Sequence, residues 1–223
     1  MKIFIYIKYF FFLGLNWNWR IASHIISHEI KGEKKYGIRT TGSDELKKIK
    51  AAGVDISHAT LYMPANYLLL EEIFSKLPVK PLDHFLDIGC GMGRALCVAA
   101  YNGFNNVTGI DFSTEFCSRA EENLKETKKK FPLLNYSVIN NDAAIISIPA
   151  DTDCIFFFNP FDEFIMKRVA VNILTSYKKN PREIFILYLN PLYKKELFDI
   201  GFKEIHYTIR MKYMEAVILQ KKA

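Results

Sequence analysis

Cysteine is scarce in this chain of 223 residues, and its placement is poor for chemistry: Cys90, Cys97, Cys117 and Cys154 form no C-x-x-C pair. That excludes a disulfide framework, a zinc ribbon and a dithiol redox centre, and the four read as buried thiols of a protein kept in a reducing cytoplasm. Long apolar runs are missing too. The longest, Met1 to Leu15, is broken by Lys2 and Lys8 and falls short of the ~20 residues that span a bilayer. No small-residue cleavage site precedes Trp17-Asn18-Trp19-Arg20, so a secretory signal is not expected. Repeats, low-complexity tracts and Gly/Pro/Ser-rich linkers are absent. So are a Ser-His-Asp pattern, a cysteine nucleophile and a metal-ligand cluster. His24 and His28 lie four apart beside Glu29, but the acid is not between them and no third ligand follows, so no metal is expected.

What is present bounds the rest. Half of the residues are hydrophobic, which suits one large folded domain and leaves little room for long disorder. The net charge is +6, from 30 basic and 24 acidic residues. The lysines fall in short scattered clusters such as Lys34-Lys35, Lys47-Lys48 and Lys128-Lys129-Lys130. Such clusters are ordinarily solvated faces; a nucleic acid or an anionic membrane surface stays open as a partner, unsupported by any motif. The aromatic N-terminus has two readings. It is either a helix docked on the domain or on a partner chain, including a second copy, or an interfacial anchor with Trp17 and Trp19 at headgroup level.

The chain is organised around His84-Phe85-Leu86-Asp87-Ile88-Gly89-Cys90-Gly91-Met92-Gly93-Arg94. An apolar run ends at an acid, three glycines follow at alternate positions, and Ala95 to Ala100 continues as helix. That is a buried strand, a tight turn and a helix start. Asp87 at the strand end can accept from a ligand amine. The next apolar run, Val107-Thr108-Gly109-Ile110, ends in Asp111, roughly 20 residues beyond the loop, where a nucleotide-binding βαβ unit carries its ribose acid.

With these pieces in order, FLDIGCGMGRAL followed by VTGIDFS resembles the class I S-adenosylmethionine-dependent methyltransferases, clearly from Leu82 to Asn159 and loosely elsewhere. The loop is G-x-G-x-G rather than the dinucleotide G-x-G-x-x-G, which sets the nicotinamide-dependent oxidoreductase behind as an alternative. A non-catalytic, cofactor-binding scaffold subunit is the other alternative. The resemblance implies S-adenosylmethionine as cofactor. Asp87 with Gly89, Cys90, Gly91 and Gly93 would hold its methionyl part, and Asp111 both ribose hydroxyls. Phe112 would lie against the adenine, and Asp142 with Ala143 beside the adenine amine. Tyr62, ahead of the first strand, would cover the site. Arg39 to Pro64, with the segment after Asn159, resembles uncharacterised bacterial-type members, and the glycine loop with Arg94 is similar to that of lysine methyltransferases lacking a SET domain. Neither likeness reaches a substrate.

Along the chain, Ile21 to Ile30 is expected as helix, Lys31 to Asp44 as loop, Ser43 to Ala51 as a short helix, and Ala65 to Leu77 as an amphipathic helix stopped by Pro78. Thr114 to Lys130 forms a helix capped by Ser113. Tyr136 to Ile139, Cys154 to Phe158 and Ile184 to Leu189 read as strands, and Asp162 to Tyr177 and Leu192 to Ile200 as helices. Phe202 to Ile209 and Tyr213 to Leu219 alternate as a closing antiparallel hairpin. The resulting order predicts an α/β, Rossmann-like, doubly wound sheet of seven mostly parallel strands, with an N-terminal helical extension over 1–80 and the methyltransferase domain over 81–223. Asn159-Pro160-Phe161-Asp162 resembles the Asn-Pro-Pro-Phe/Tyr signature of methyltransferases acting on amine or amide nitrogens, with one proline missing. By that resemblance Asn159 and Pro160 are the candidate catalytic residues, Asn159 also touching the cofactor. A strand-end turn that caps the next helix is the plain alternative.

Overall fold

The computed structural model describes residues 2–41, 64–78, 82–158, 161–212 and 214–223. The expected helix from Ser43 to Ala51, and Tyr62, Asn159 and Pro160, lie outside the described residues. Seven strands form one sheet: β1 (His84–Ile88), β2 (Asn106–Asp111), β3 (Asn135–Asn140), β4 (Cys154–Phe158), β5 (Ile184–Leu189), β6 (Lys203–Arg210) and β7 (Met214–Lys221). Their order is β3-β2-β1-β4-β5-β7-β6. The first five run parallel, and β7 enters antiparallel between β5 and β6. The direction of winding therefore reverses at β1, between β2 and β4, where ligands of such sheets bind.

Strand alternation builds two apolar layers. Phe85, Val107, Phe156, Leu187 and Ile218 face one side. There they meet α3 (Tyr67–Ser75), α4 (Arg94–Tyr101) and Leu124 of α5 (Thr114–Lys130). Leu86, Ile88, Ile110, Ile155, Phe157 and Ile186 face the other. They pack on Met166, Val169 and Ile173 of α6 (Glu163–Lys179) and Leu197 of α7 (Lys194–Asp199). The unbroken apolar runs of β4 and β5 follow from this double cover. No helix joins β3 to β4. A turn over 143–145 replaces it, and Ile146 and Ile148 plug the second layer in its place.

Among the described residues two helices precede α3, namely α1 (Lys2–Asn16) and α2 (Trp19–Tyr36). The loop expected from Lys31 is thus a correction: α2 runs six residues further, to a left-handed Gly37 that donates its N–H to the Glu33 carbonyl. Gly32 inside it is not a breaker. A Cβ there would lie 2.2 Å from the Tyr67 ring, so glycine is what lets α2 and α3 touch. The buried stripe of α3 is Tyr67, Leu69, Leu70, Ile73 and Phe74. Its cap is Asn66, whose side chain accepts from the N–H groups of Leu68 and Leu69.

Candidate active site

The glycine loop turns because its three glycines take positive φ: 83° at Gly89, 51° at Gly91 and 78° at Gly93. A side chain is strained in that region, and at Gly93 a Cβ would also press on Ala120 of α5 at 3.0 Å. Backbone bonds hold the loop down. The N–H groups of Gly89 and Cys90 donate to the Ile110 carbonyl at 2.8 and 2.9 Å, and Gly93 N donates to Cys90 O at 2.9 Å. Gly109 of β2 stands opposite Asp87. The Cys90 sulfur fills the place its Cβ would take, at 2.8 Å.

Two acids emerge at the carboxyl ends of β1 and β2. Asp111 is buried and splits its carboxylate between two backbone donors: Gly91 N to Oδ2 at 2.8 Å, and Ser113 N to Oδ1 at 2.9 Å. Burial raises its pKa, the two N–H groups pull it back, and it settles at about 6. Asp87 is 2 % exposed, and its Oδ1 is buried without a hydrogen-bond partner. Burial first, then the nearby Asp111 charge, push it well above the usual carboxylate range. Unsatisfied buried acceptors are rare in folded proteins and call for an explanation. A cationic amine at Asp87 would satisfy it, while each Asp111 oxygen, having taken one N–H, keeps capacity for one hydroxyl donor. The donor set fits a ligand carrying an amine and a diol. The Cys90 thiol is raised well above its usual value by burial, then by the two acids, so it stays a thiol and serves as packing.

The other predicted residues are spread around this corner. Phe112 leaves β2 half-buried. Asp142 is exposed and closes an Asx turn, accepting from Ala144 N at 2.8 Å. Ala143 packs against the second apolar layer. Asn140, unremarked in the sequence, donates to the Asp111 carbonyl at 3.0 Å and so ties the end of β3 to the acid's backbone.

Arg94, directly after the loop, has a role that its neighbours in sequence did not disclose. Its guanidinium is buried and pairs in fork geometry with Glu29 of α2, Nη1 to Oε1 at 2.7 Å and Nη2 to Oε2 at 2.5 Å. It also donates to Thr40 Oγ1 and the Ala65 carbonyl and lies 4.0 Å over the Tyr67 ring. Glu33 joins the cluster, accepting from the Tyr6 hydroxyl, Thr40 N, Thr41 N and Thr41 Oγ1. Burial would raise its pKa, but these donors hold it below the usual value. Asn123 of α5 finishes the strap, accepting from Arg39 N and donating to the carbonyls of Arg39 and Met92. The chain leaving α2 is therefore fastened across the glycine loop. Glu29, Arg39 and Thr40 lie 54 to 84 residues from their partners Arg94 and Asn123, so no local pattern announced them. Away from this cluster, the His24 and His28 rings lie 4.3 Å apart at a tilt of 46°, and among the described residues no three potential ligands gather round a metal position.

Residues 85–178 match the family model described as a methyltransferase domain. That stretch of the chain is a methyltransferase domain. Its match covers the strand, glycine loop and acid, which decides against the nicotinamide reading. Solved structures with the same fold include a ribosomal protein L11 methylase from Lactobacillus delbrueckii subsp. bulgaricus, at TM-score 0.52 and 16 % identity over 70 % of this chain and 78 % of that one. The N-methyltransferase NodS from Bradyrhizobium japonicum aligns at TM-score 0.53 and 15 % identity, over 70 % and 93 % of the two chains. A Pyrococcus abyssi tRNA (uracil-54, C5)-methyltransferase, solved with S-adenosyl-L-homocysteine, aligns at TM-score 0.50 and 14 % identity, over 72 % and 40 %. These likenesses concern the fold. No curated protein matches the sequence significantly.

Proposed function

We propose that this methyltransferase binds S-adenosylmethionine across the carboxyl ends of β1, β2 and β3 and methylates an acceptor presented beyond β4. The observation that carries it is the buried Asp87 carboxylate with an unpartnered Oδ1, one residue from the glycine loop and opposite the side-chain-free Gly109. Asp87 would take the cofactor's ammonium, giving its buried Oδ1 the partner it lacks. Asp111 takes the ribose diol with the lone pairs that Gly91 and Ser113 leave over. Phe112 and Ala143 would flank the base, and Asp142 would accept from the adenine amine with the lone pairs that Ala144 N leaves over.

When bound, the cofactor supplies an electrophilic methyl group on a sulfonium, so the chain need provide no nucleophile. Its residues position, and they keep water away. The Arg94 clamp fixes the start of α4 and with it the loop. Asn159 and Pro160 follow β4 directly and are the groups we assign to the acceptor. An amide oxygen and a backbone carbonyl there would accept the N–H bonds of a nitrogen acceptor and aim its lone pair. A nitrogen of a protein, nucleic acid or small molecule is the acceptor class that follows from this pair.

Titration calorimetry with S-adenosylhomocysteine tests the site without the acceptor. Binding at one site per chain is expected, and ligand at 100 times its dissociation constant should stabilise the fold by about 2.7 kcal/mol. Folded protein that binds neither the product nor S-adenosylmethionine overturns the proposal. Tritiated-methyl transfer to fractionated lysate then identifies the acceptor.

A further inference from the structure

Helix α1 is apolar round most of its circumference, interrupted by Lys2 and Lys8, and the fold uses only one side. Tyr9 and Leu13 are buried against Ala22 of α2. On the opposite side Phe4, Ile7, Phe11 and Leu15 stay exposed, Phe4 at 73 % and Leu15 at 76 %. Their spacing of i, i+3, i+7 and i+11 makes one stripe, with the exposed Lys8 along its edge. Trp17 and Trp19, the chain's two tryptophans, extend it at 51 % and 47 % exposure. The Trp19 ring lies 5.9 Å from Phe11 and rests on Gly14, where a Cβ would meet it at 2.2 Å. An exposed stripe of this kind marks an interaction face.

Charge selects the occupant. Residues 1–28 contain Lys2, Lys8 and Arg20 and no acid at all; Glu29, the first, is the buried partner of Arg94. An anionic headgroup layer attracts cations near its surface and repels acids. Tryptophan at the end of the stripe fits headgroup level. Fifteen helical residues reach about 22 Å, short of the ~30 Å hydrocarbon core, and no described helix is long and apolar enough to cross a membrane. We infer that the outer face of α1 seats in the plane of an anionic phospholipid surface, with Phe4, Ile7, Phe11 and Leu15 at the acyl boundary. The inference is independent of the cofactor chemistry.

The tryptophans provide the test in the full native chain. Vesicles of phosphatidylglycerol in phosphatidylcholine should shift their emission to the blue, brominated acyl chains should quench it, and the protein should sediment with the vesicles. Partition should be at least tenfold stronger than onto phosphatidylcholine alone, and fall with salt. Phe4→Ser with Phe11→Ser should weaken it at least tenfold and leave the thermal transition in place. If that variant does not fold, quenching of the native chain decides. Absence of shift and quenching overturns the inference, and so does equal partition onto both lipids. A concentration-dependent dimer without vesicle binding overturns it as well and assigns the face to a second copy.

Discussion

Asp87 and Asp111 share one dry corner, and each constrains the other. An acid whose folded pKa lies above its unfolded value binds more protons folded than unfolded, so its contribution to stability falls as pH rises between the two. For Asp111 the window runs from 3.8 to about 6, roughly two pK units or ~3 kcal/mol at its upper end. Asp87, raised further by burial and by Asp111, acts in the same direction. The melting temperature of Asp111→Asn minus that of the native chain, both without ligand, should therefore increase from pH 4 to pH 7; a flat difference would remove the electrostatic account. Asp87→Asn separates binding from folding. Lacking the unpartnered buried carboxylate, it should melt no lower than the native chain at pH 7. It should also bind S-adenosylhomocysteine about 10- to 100-fold more weakly, the worth of one hydrogen bond to a charged group. Both acids were legible in sequence as the last polar positions of apolar runs. That Asp111 also pins Gly91 and Ser113 was not, because the loop's backbone donors become visible only once it is closed.

At the scale of elements, the clearest departure from sequence expectation is α2. Glycine at 32 and the polar residues around it argue locally for a loop, and local propensity yields to a tertiary contact worth more. Gly32→Ala measures that contest. Alanine favours an isolated helix by about 1 kcal/mol, but its methyl would press on the Tyr67 ring, and overpacking typically costs ~1–3 kcal/mol. A lower melting temperature is expected; a higher one would mean that α2 and α3 separate without loss. The Arg94–Glu29 pair joins the same helices to the glycine loop. Removing one partner of a buried pair leaves a stranded charge at about 3–5 kcal/mol, while replacing both by apolar residues costs far less. Glu29→Leu alone should thus destabilise more than Glu29→Leu with Arg94→Met, as denaturant unfolding of the set will show. Arg94 was noticeable beside the loop and Glu29 beside His28, yet nothing in their spacing paired them.

For the whole molecule, the order of elements from the glycine loop onward was readable because doubly covered strands leave long apolar runs, and the helices between them carry caps and stops. The connection from β3 to β4 is a turn over 143–145, and Ile146 and Ile148 supply the core there that a crossover helix would. How the first forty residues attach was not readable, since their contacts reach across the chain. Two deletions separate their parts. Removing residues 1–17 takes away α1 but keeps the Asn18 cap of α2, whose side chain accepts from Ile21 N, and keeps Glu29. Glu33 loses Tyr6 and retains its three donors from Thr40 and Thr41. That chain should fold and bind S-adenosylhomocysteine within about threefold of the full one, since a single partly exposed hydrogen bond is worth ~1 kcal/mol or less. Removing residues 1–41 strands Arg94 in the core without Glu29 and Thr40 and uncovers Tyr67. The loss of the ion pair alone, about 3–5 kcal/mol, approaches the whole stability of a typical domain at ~5–15 kcal/mol. Thermal unfolding and calorimetry should then show a chain that neither melts cooperatively nor binds. A 42–223 chain that folds and binds as the full one does would instead make α2 a passenger, and the Arg94 clamp no part of the cofactor site.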